Sequence, residues 1–560
     1  MKLRKILIAN RGEIAIRVAR AASDLGIQTI TIYSQDDAKS LHVLSGDKSY
    51  ALKGAGAGAY LDKPQLISLA LDSGCDAVHP GYGFLSENAG FAQLCAQANL
   101  TFIGPPAETL RLFGDKARTR NLAEECSVPV MPGSVGPVTL KEASAFFTSL
   151  GDDAAVVVKA VKGGGGRGIR PVHRLDDLEE AYNRCQSEAE TAFGARDVYI
   201  EQLMPRARHI EVQVIGDGKQ VIHLGERECT LQRRGQKLIE VAPSPSISTK
   251  LRAALTEAAL RMARHVNYIS LGTFEFLIDR SSGGKPFFAF LETNPRLQVE
   301  HTVTEEVTGI DIVRAQIEIA GGKTLLDLGL VHDARHPRIY SVQARVNLEH
   351  IDETGNVIPS TGRISVYEAP SGPGIRVDGY GYSGYTTNPA FDSLLAKLII
   401  TSRSDKYQDA VTRIRRTLRE FRIEGVETNI SFLINLLSRQ EVENNDIHTR
   451  FIEDNAATLA STPDKWKERF FSGGRSVPSN EAELEQRPAP PGTIPLKAPM
   501  QGCVVDIEVI EGDAITAGQK LVVLESMKME HVITAVCSGY VRAICVTVNE
   551  NVQVGSPLHG

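Results

Sequence analysis

The chain has 560 residues, a formal net charge of −6 and 42% hydrophobic residues, which is ordinary for globular protein but too long for one hydrophobic core. Its slight acidity argues against nucleic acid or an anionic membrane as the main partner. No apolar run approaches the roughly 20 residues of a membrane span. The eight cysteines form no CxxC pair and no zinc-type spacing, which favours free thiols in a cytoplasmic protein.

The chain opens with alternating strands and helices. Residues 5–10 predict a strand, 14–25 a helix, 28–33 a second strand and 74–80 a further strand. This β-α-β order predicts a parallel sheet covered by helices. The first turn, Asn10-Arg11-Gly12, lacks the GxGxxG pattern, so a nicotinamide dinucleotide is not expected.

A run of four glycines, 163–166, separates two β-rich segments. A hairpin turn needs only one or two glycines, so the longer run calls for another explanation. Successive backbone N–H groups in such a loop can surround an anion. The run therefore predicts phosphate binding, although it does not follow the Walker pattern.

Two charged stretches come next. Residues 209–214 alternate as a strand that places His209, Glu211 and Gln213 on one face. Residues 226–237 are dense in charge, which fits either a solvated surface or the wall of a cleft. Apolar residues on both sides favour the cleft wall.

A predicted hairpin brings two carboxylates together. Strands around residues 272–277 and 287–292 would place Glu275 beside Glu292, with Asn294 just beyond. Because like charges side by side destabilise a sheet, the pair predicts a bridging Mg²⁺ or Mn²⁺ rather than a bare charged edge. The fork of Arg296 suits a small planar oxyanion, and Glu300 can serve as a base.

The last part of the chain changes character. Residues 454–492 contain Pro-, Gly- and Ser-rich stretches and are predicted to be a linker of roughly 30–35 Å r.m.s. span. Beyond it, two β-rich runs flank Met527-Lys528-Met529 and predict a hairpin with Lys528 at its tip. Such a lysine is either simply solvated or available for acylation.

These motifs resemble the biotin carboxylase family joined to a biotinyl carrier domain. The resemblance is carried by residues 9–15, 79–88, 292–301, 385–397 and 498–531. It implies an α/β N-terminal domain, an α+β ATP-grasp domain with a glycine-rich flap, an α+β C-terminal lobe and an all-β biotinyl domain shaped as a flattened barrel. The implied boundaries are 1–115, 116–330, 331–453, the linker 454–492, and 493–560.

The resemblance also implies the roles of individual residues. ATP would be bound by Lys116, Lys159, Gly163, Gly164, Gly165, Gly166, Glu201, Leu203, His209 and Gln232. The metals would be held by Glu275, Glu292 and Asn294, and bicarbonate by Lys237, Arg296, Gln298, the backbone of Val299 and Glu300. Glu300 would be the general base, Arg345 would stabilise the biotin enolate, and Lys528 would carry biotin. Gly235 stands where many members have His, which implies altered nucleotide contacts.

The implied reaction is the ATP-dependent carboxylation of biotin by bicarbonate, with Mg²⁺ or Mn²⁺ as the metal. The implied partners are a carboxyltransferase, either separate or fused, a biotin protein ligase and further copies of the chain. Acyl-CoA is the first choice of final acceptor, ahead of pyruvate or urea. Another ATP-grasp ligase stays open but leaves Met527-Lys528-Met529 unexplained. A lipoyl-type carrier also stays open, although lipoyl lysines usually lie between Asp and Ala.

Overall fold

The computed structural model describes most of the chain and supports the statements below for those residues. The described ranges are 2–134, 136–151, 155–161, 168–204, 206–279, 287–332, 337, 339–352, 355–460, 493–526 and 529–559. Within them, no helix is both long and apolar enough to cross a lipid bilayer. The glycines of residues 163–166 and the tip residues 527–528 lie outside the described residues.

The N-terminal segment is an α/β unit around a parallel sheet of five strands in the order β3-β2-β1-β4-β5. The predicted alternation of strands and helices is therefore confirmed. The elements are β1 (Lys5–Ile8), α1 (Gly12–Asp24), β2 (Gln28–Tyr33), β3 (Lys48–Ala51), α2 (Gly56–Ala59), α3 (Lys63–Asp72), β4 (Ala77–His79), α4 (Ala89–Gln97), β5 (Thr101–Phe102) and α5 (Ala107–Phe113).

Residues 116–330 contain two sheets with packed helices, which agrees with the expected α+β ATP-grasp fold. A small antiparallel sheet in the order β7-β6-β8 packs against two helices, and a larger sheet follows. The elements are α6 (Lys116–Glu125), α7 (Leu140–Ser149), β6 (Val156–Ala160), β7 (Ile169–Val172), α8 (Leu178–Phe193), β8 (Val198–Gln202), β9 (Arg208–Asp217), β10 (Val221–Arg233), β11 (Gln236–Ala242), α9 (Thr249–His265), β12 (Ile269–Asp279), β13 (Phe287–Asn294), α10 (His301–Thr308) and α11 (Ile312–Ala320).

The larger sheet continues into the next segment. Its eight strands run β13-β12-β9-β10-β11-β14-β19-β18, and β11 pairs with β14 across the predicted boundary at residue 330. The added elements are β14 (Tyr340–Asn347), β15 (Glu349–Ile351), β16 (Val357–Pro359), β17 (Val366–Glu368), β18 (Ile375–Gly379), β19 (Leu394–Ser402), α12 (Tyr407–Glu420), β20 (Arg422–Glu424), α13 (Ile430–Leu437), α14 (Gln440–Glu443), α15 (Phe451–Asp454) and α16 (Ala456–Ala460).

The start of the predicted linker is folded. The linker was expected from residue 454, but α16 follows at once and buries Leu459 in the core formed by α12, α13 and β19. The apolar spacing of this single helical turn was too short to stand out in the sequence. Residues 461–492 of the predicted linker lie outside the described residues.

The C-terminal segment is all β, as expected. Its main sheet runs β25-β24-β22-β27, with two-stranded sheets β21-β28 and β23-β26 beside it. Val504, Leu524 and Leu558 are fully buried between them. The strands are β21 (Leu496–Lys497), β22 (Gly502–Ile507), β23 (Ala514–Ile515), β24 (Lys520–Ser526), β25 (Met529–Thr534), β26 (Gly539–Tyr540), β27 (Asn551–Val552) and β28 (Pro557–His559).

Candidate active site

The carboxylates of Glu275 and Glu292 face each other on β12 and β13; the first is buried and the second is exposed. Glu275 and Glu292 are cross-strand partners, as the predicted hairpin requires. The side-chain nitrogen of Asn294 donates to Glu275 Oε1 at 2.8 Å and lies 3.4 Å from Glu292 Oε1. Desolvation by the surrounding residues and the neighbouring Glu275 raise the pKa of Glu292. A cation between the two carboxylates would relieve the repulsion between them.

Asn294 presents its amide hydrogens, not its oxygen, to the carboxylates. Its Oδ1 accepts a hydrogen bond from Arg296 at 3.0 Å. A half-turn of the amide would exchange the two atoms and offer an oxygen ligand beside Glu275 and Glu292. The residue types therefore fit a hard divalent cation such as Mg²⁺.

Lys237 joins three carboxylates. Its Nζ lies 2.6 Å from Glu211, 2.7 Å from Glu300 and 3.2 Å from Glu275. Burial alone would lower the pKa of Lys237, but the three carboxylates outweigh it and hold that pKa well above its usual value. The ammonium group is therefore a permanent charge at the centre of the site. Glu275 also accepts from His209 Nε2 at 2.7 Å, and its pKa is lowered despite burial.

Glu300 stands between two cations. It lies just before α10 and is almost fully buried. Its second oxygen accepts from Arg345 at 3.0 Å, while Arg345 also bonds Glu240 on the neighbouring strand β11. Burial alone would raise the pKa of Glu300, but Lys237 and Arg345 hold it well below its usual value. The carboxylate is therefore ionised and aimed by its partners.

Arg296 connects this network to the N-terminal segment. Its Nε donates to Glu87 at 2.6 Å, and its Nη1 donates to Gln298 Oε1 at 2.7 Å. Gln298 in turn donates to Glu275 Oε1 at 3.0 Å. Glu87 belongs to the stretch 79–88, so this stretch meets the 292–301 stretch directly.

A second group of predicted residues lies near Glu292. Lys159 forms an ion pair with Glu201 on the adjacent strand β8, and both Lys116 and Lys159 lie 5.9 Å from the ring centre of Tyr199. Burial lowers the pKa of Lys116, whereas the Glu201 carboxylate outweighs burial and raises the pKa of Lys159. Both ammonium groups interact electrostatically with Glu292.

The last predicted ATP-binding residues among the described part of the chain are Gln232 and Leu203. Gln232 pairs with Lys237 in the β10–β11 hairpin, whose tip carries Gly235 at φ +79°. Leu203 follows β8, and its N–H donates to the carbonyl of Ala155. No recorded contact joins these two side chains to the carboxylate network among the described residues.

Four residues of the network were given no role from the sequence. They are Glu87, Glu211, Arg227 and Glu240. The guanidinium group of Arg227 is fully buried, bonds Glu211, and donates to Gln213 and Thr304 at 2.9 Å each. The alternation of residues 209–214 had placed Glu211 on the correct face of its strand. Arg227 lies in the charged stretch 226–237, where no sequence pattern showed which way its side chain points.

Four family models match the chain. The biotin carboxylase N-terminal domain matches residues 2–110, and the ATP-binding domain of the carbamoyl-phosphate synthase L chain matches 115–328. The biotin carboxylase C-terminal domain matches 343–454, and the biotin-requiring enzyme family matches 494–559. Together these matches follow the order expected from the motifs.

Several characterised proteins are similar. Human mitochondrial pyruvate carboxylase is 45% identical over 467 residues, which is 82% of this chain and 39% of that protein. The biotin carboxylase domain of Hydrogenobacter thermophilus 2-oxoglutarate carboxylase, solved with MgADP and bicarbonate, is 39% identical with a TM-score of 0.77, covering 83% of this chain and 100% of that one. A single-chain long-chain acyl-CoA carboxylase is 37% identical with a TM-score of 0.72, covering 100% of this chain and 51% of that one.

The chain thus spans about two fifths of the length of the curated pyruvate carboxylases that it matches. Its matches to the ATP-binding and biotin models, and its likeness to a structure with MgADP, support ATP, Mg²⁺ and biotin as cofactors. Sequence motifs, fold and family matches agree, and the chain belongs to the biotin carboxylase family, with an ATP-grasp fold and a C-terminal biotinyl domain.

Proposed function

We propose that the chain activates bicarbonate with ATP, transfers the carboxyl group to a biotin on Lys528, and supplies it to a carboxyltransferase that acts on pyruvate. The observation that carries the first step is the single network of Lys237, Arg296, Arg345 and Glu300 beside the Glu275–Glu292 pair. The cations can hold a small oxyanion, and the carboxylate pair can hold a metal with its phosphates.

Bicarbonate is assigned to the side of the network that contains Arg296, Gln298 and Lys237. Arg296 can bond two oxygens at once, and Lys237 adds a compact positive charge. Glu300 is the general base in this assignment because Lys237 and Arg345 hold its carboxylate ionised. When Glu300 takes the proton of bicarbonate, the resulting carbonate dianion attacks the γ-phosphorus of ATP, forming carboxyphosphate and releasing ADP.

ATP is assigned to the side that contains Lys116 and Lys159. Both ammonium groups interact electrostatically with Glu292. Phosphates bound to the two lysines would therefore lie next to the Glu275–Glu292 pair. Glu275 and Glu292, with the oxygen of Asn294 after an amide turn, would hold Mg²⁺, which supplies neutralising charge to the phosphates when bound. The glycines of residues 163–166 are proposed to bind the phosphates through their backbone N–H groups, and they lie outside the described residues.

Lys528 is assigned as the biotin attachment site. Strands β24 and β25 pair in register up to Ser526 and Met529, and Lys528 lies between these two residues in the sequence, outside the described residues. Biotin attached there would supply the ureido nitrogen that accepts the carboxyl carbon as carboxyphosphate breaks down to CO₂ and phosphate, and the phosphate would take the N–H proton. Arg345 is assigned to bind the ureido oxygen, because its guanidinium group lies beside the Glu300 carboxylate, which is the proposed base.

The final acceptor is assigned from the relatives. Curated relatives at 42–45% identity are named pyruvate carboxylases, which favours pyruvate, the alternative in the sequence-based expectation, over acyl-CoA. Acyl-CoA remains the second candidate on one observation: a long-chain acyl-CoA carboxylase is similar over all of this chain.

A direct test separates the carrier from the catalyst. Purified chain should give a streptavidin signal that disappears in Lys528→Ala, and the same variant should keep bicarbonate-dependent ATP hydrolysis with free biotin. A Glu226→Gln variant, which alters a buried carboxylate paired with Arg252, serves as the control and should keep both properties. Loss of bicarbonate-dependent hydrolysis in Lys528→Ala, or a persistent streptavidin signal, would contradict the proposal.

The acceptor is tested in the native assembly. The chain is isolated from its source cells with its bound partners, and fixation of labelled bicarbonate is measured with pyruvate, with short- and long-chain acyl-CoA and with 2-oxoglutarate. Pyruvate should give oxaloacetate as the labelled product. Labelled product only from an acyl-CoA would refute the acceptor assignment and leave the carboxylation of biotin standing.

A further inference from the structure

Lys397 is a fully buried lysine in the middle of β19. Its Nζ donates to the carbonyl oxygen of Val299 at 3.0 Å and lies 3.0 Å from Glu13 Oε2. Apolar residues of similar volume often replace a buried ion pair with no loss of stability. The presence of an ammonium group at this position therefore calls for an explanation beyond stability.

Lys397 and Arg345 form a cross-strand pair on β14 and β19, so their side chains lie on the same face of the sheet. Like charges directly opposite each other destabilise a sheet. Each of the two contacts one of two consecutive residues: Arg345 donates to the Glu300 carboxylate, and Lys397 donates to the carbonyl of Val299. The two cations thus hold Val299 and Glu300, the second of which is the proposed base.

The peptide group between Gln298 and Val299 is also held by a hydrogen bond, in this case from His301. His301 Nδ1 lies 2.7 Å from the carbonyl oxygen of Gln298, and His301 is fully buried. Burial and the nearby Lys397 hold the pKa of His301 well below its usual value, so its ring is neutral and Nδ1 carries the donated hydrogen. In a trans peptide the N–H points opposite to the C=O. The N–H of Val299 is therefore directed away from His301.

Glu13 completes the arrangement from the N-terminal segment. The hydroxyl of Tyr82 donates to its other oxygen, so Glu13 is held in place while it faces Lys397. Glu13, Val299 and Lys397 come from the three segments matched by the N-terminal, ATP-binding and C-terminal family models. The ammonium group lies where all three segments meet.

We propose that Lys397 is a positioning residue for bicarbonate: by fixing the carbonyl of Val299, with Glu13 as its counter-charge, it aims the Val299 N–H and the Glu300 carboxylate at the oxyanion. This inference rests on the proposed function, because it takes the 296–300 segment as the bicarbonate site. Lys397 itself touches neither substrate nor cofactor.

The test uses the full-length chain with Lys397→Met, which keeps the length of the side chain and removes the donor. The KM for bicarbonate in ATP hydrolysis should rise about tenfold or more, since a shift of about 1 Å in a catalytic group can change rates about 100-fold. The KM for MgATP should change by less than about threefold. Bicarbonate should also raise the thermal unfolding midpoint of the MgADP-bound variant less than that of the wild type, a readout that needs no turnover.

Matched variants separate positioning from stability. Glu13→Gln with Lys397→Met removes both charges and serves as the test if the single variant does not fold. Lys397→Arg keeps a donor and should recover part of the bicarbonate affinity. Arg252→Met breaks the ion pair between Arg252 and Glu226, whose atoms lie 2.7 Å apart. This pair does not include residues 296–300, so both KM values should stay unchanged.

Arg296→Ala distinguishes the two levels of the proposal. If it weakens bicarbonate binding while the Lys397 variants bind bicarbonate as the wild type does, the positioning role is overturned and the proposed function stands. If Arg296→Ala also leaves bicarbonate binding unchanged, the assigned bicarbonate site is wrong, and the inference fails with it. Equal rises in the KM values for bicarbonate and MgATP would likewise refute a specific positioning role.

Discussion

Glu300→Gln is the sharpest test of the proposed base. The substitution keeps the shape of the side chain and one acceptor oxygen but removes the charge that Lys237 and Arg345 contact at 2.7 and 3.0 Å. Both cations retain other carboxylates: Lys237 keeps Glu211, and Arg345 keeps Glu240. Because neither cation is left buried without a counter-charge, we expect a folded protein.

The expected loss of activity follows from the role of a general base. Such a group contributes about 100- to 10,000-fold, and at about 1.4 kcal/mol per decade this equals roughly 3–6 kcal/mol of transition-state stabilisation. The kcat/KM for bicarbonate in ATP hydrolysis should fall by that factor, while the thermal midpoint shows whether folding is retained. Glu226→Gln, the matched buried carboxylate, should stay near wild type. A folded Glu300→Gln variant within about tenfold of the wild type would refute the assignment.

Three further outcomes are expected. Arg345→Met should raise the pKa of Glu300, because it removes a cation that lowers it; the acid limb of the kcat/KM profile should therefore move to higher pH, and an unmoved limb would contradict the contact. Glu292→Gln should weaken Mg²⁺ activation about tenfold or more, measured by Mg²⁺ titration of ATP hydrolysis, and unchanged activation would exclude Glu292 as a ligand. Lys528→Arg should abolish the streptavidin signal, because arginine cannot be acylated there, with no change in ATP hydrolysis driven by free biotin.

The carboxylate pair could be predicted from the sequence because its geometry is local. Glu275 and Glu292 lie on two strands that are close in sequence, and the alternation of each strand fixes which residues face each other. The parallel sheet of the first segment was predictable for the same reason, since each strand, helix and turn has its own short-range pattern. The residue motifs carried by these units then gave the resemblance to the family.

The ion pairs between residues far apart in the sequence could not be predicted in this way. Lys397 stands in the run Leu394–Ser402, whose apolar residues predict a buried strand but give no reason for a buried cation. Its partner Glu13 lies in the first helix, and the contact depends on how two distant segments pack. Arg227 shows the same limit, because only the packed sheet brings Glu211, Gln213 and Thr304 around it.

The charges of the site are arranged for exchange of partners. The cations proposed to contact substrates already contact carboxylates: Lys159 contacts Glu201, Arg296 contacts Glu87, and Lys237 contacts three acids. An unpaired buried charge would destabilise the free protein by several kcal/mol, so these carboxylates take the place of substrate anions. In the proposed function, each substrate oxyanion would replace one of these carboxylates at its cation. The net affinity is reduced by the bonds that are broken, but the cations are already oriented when the anion arrives, which is the condition for electrostatic catalysis without reorganisation.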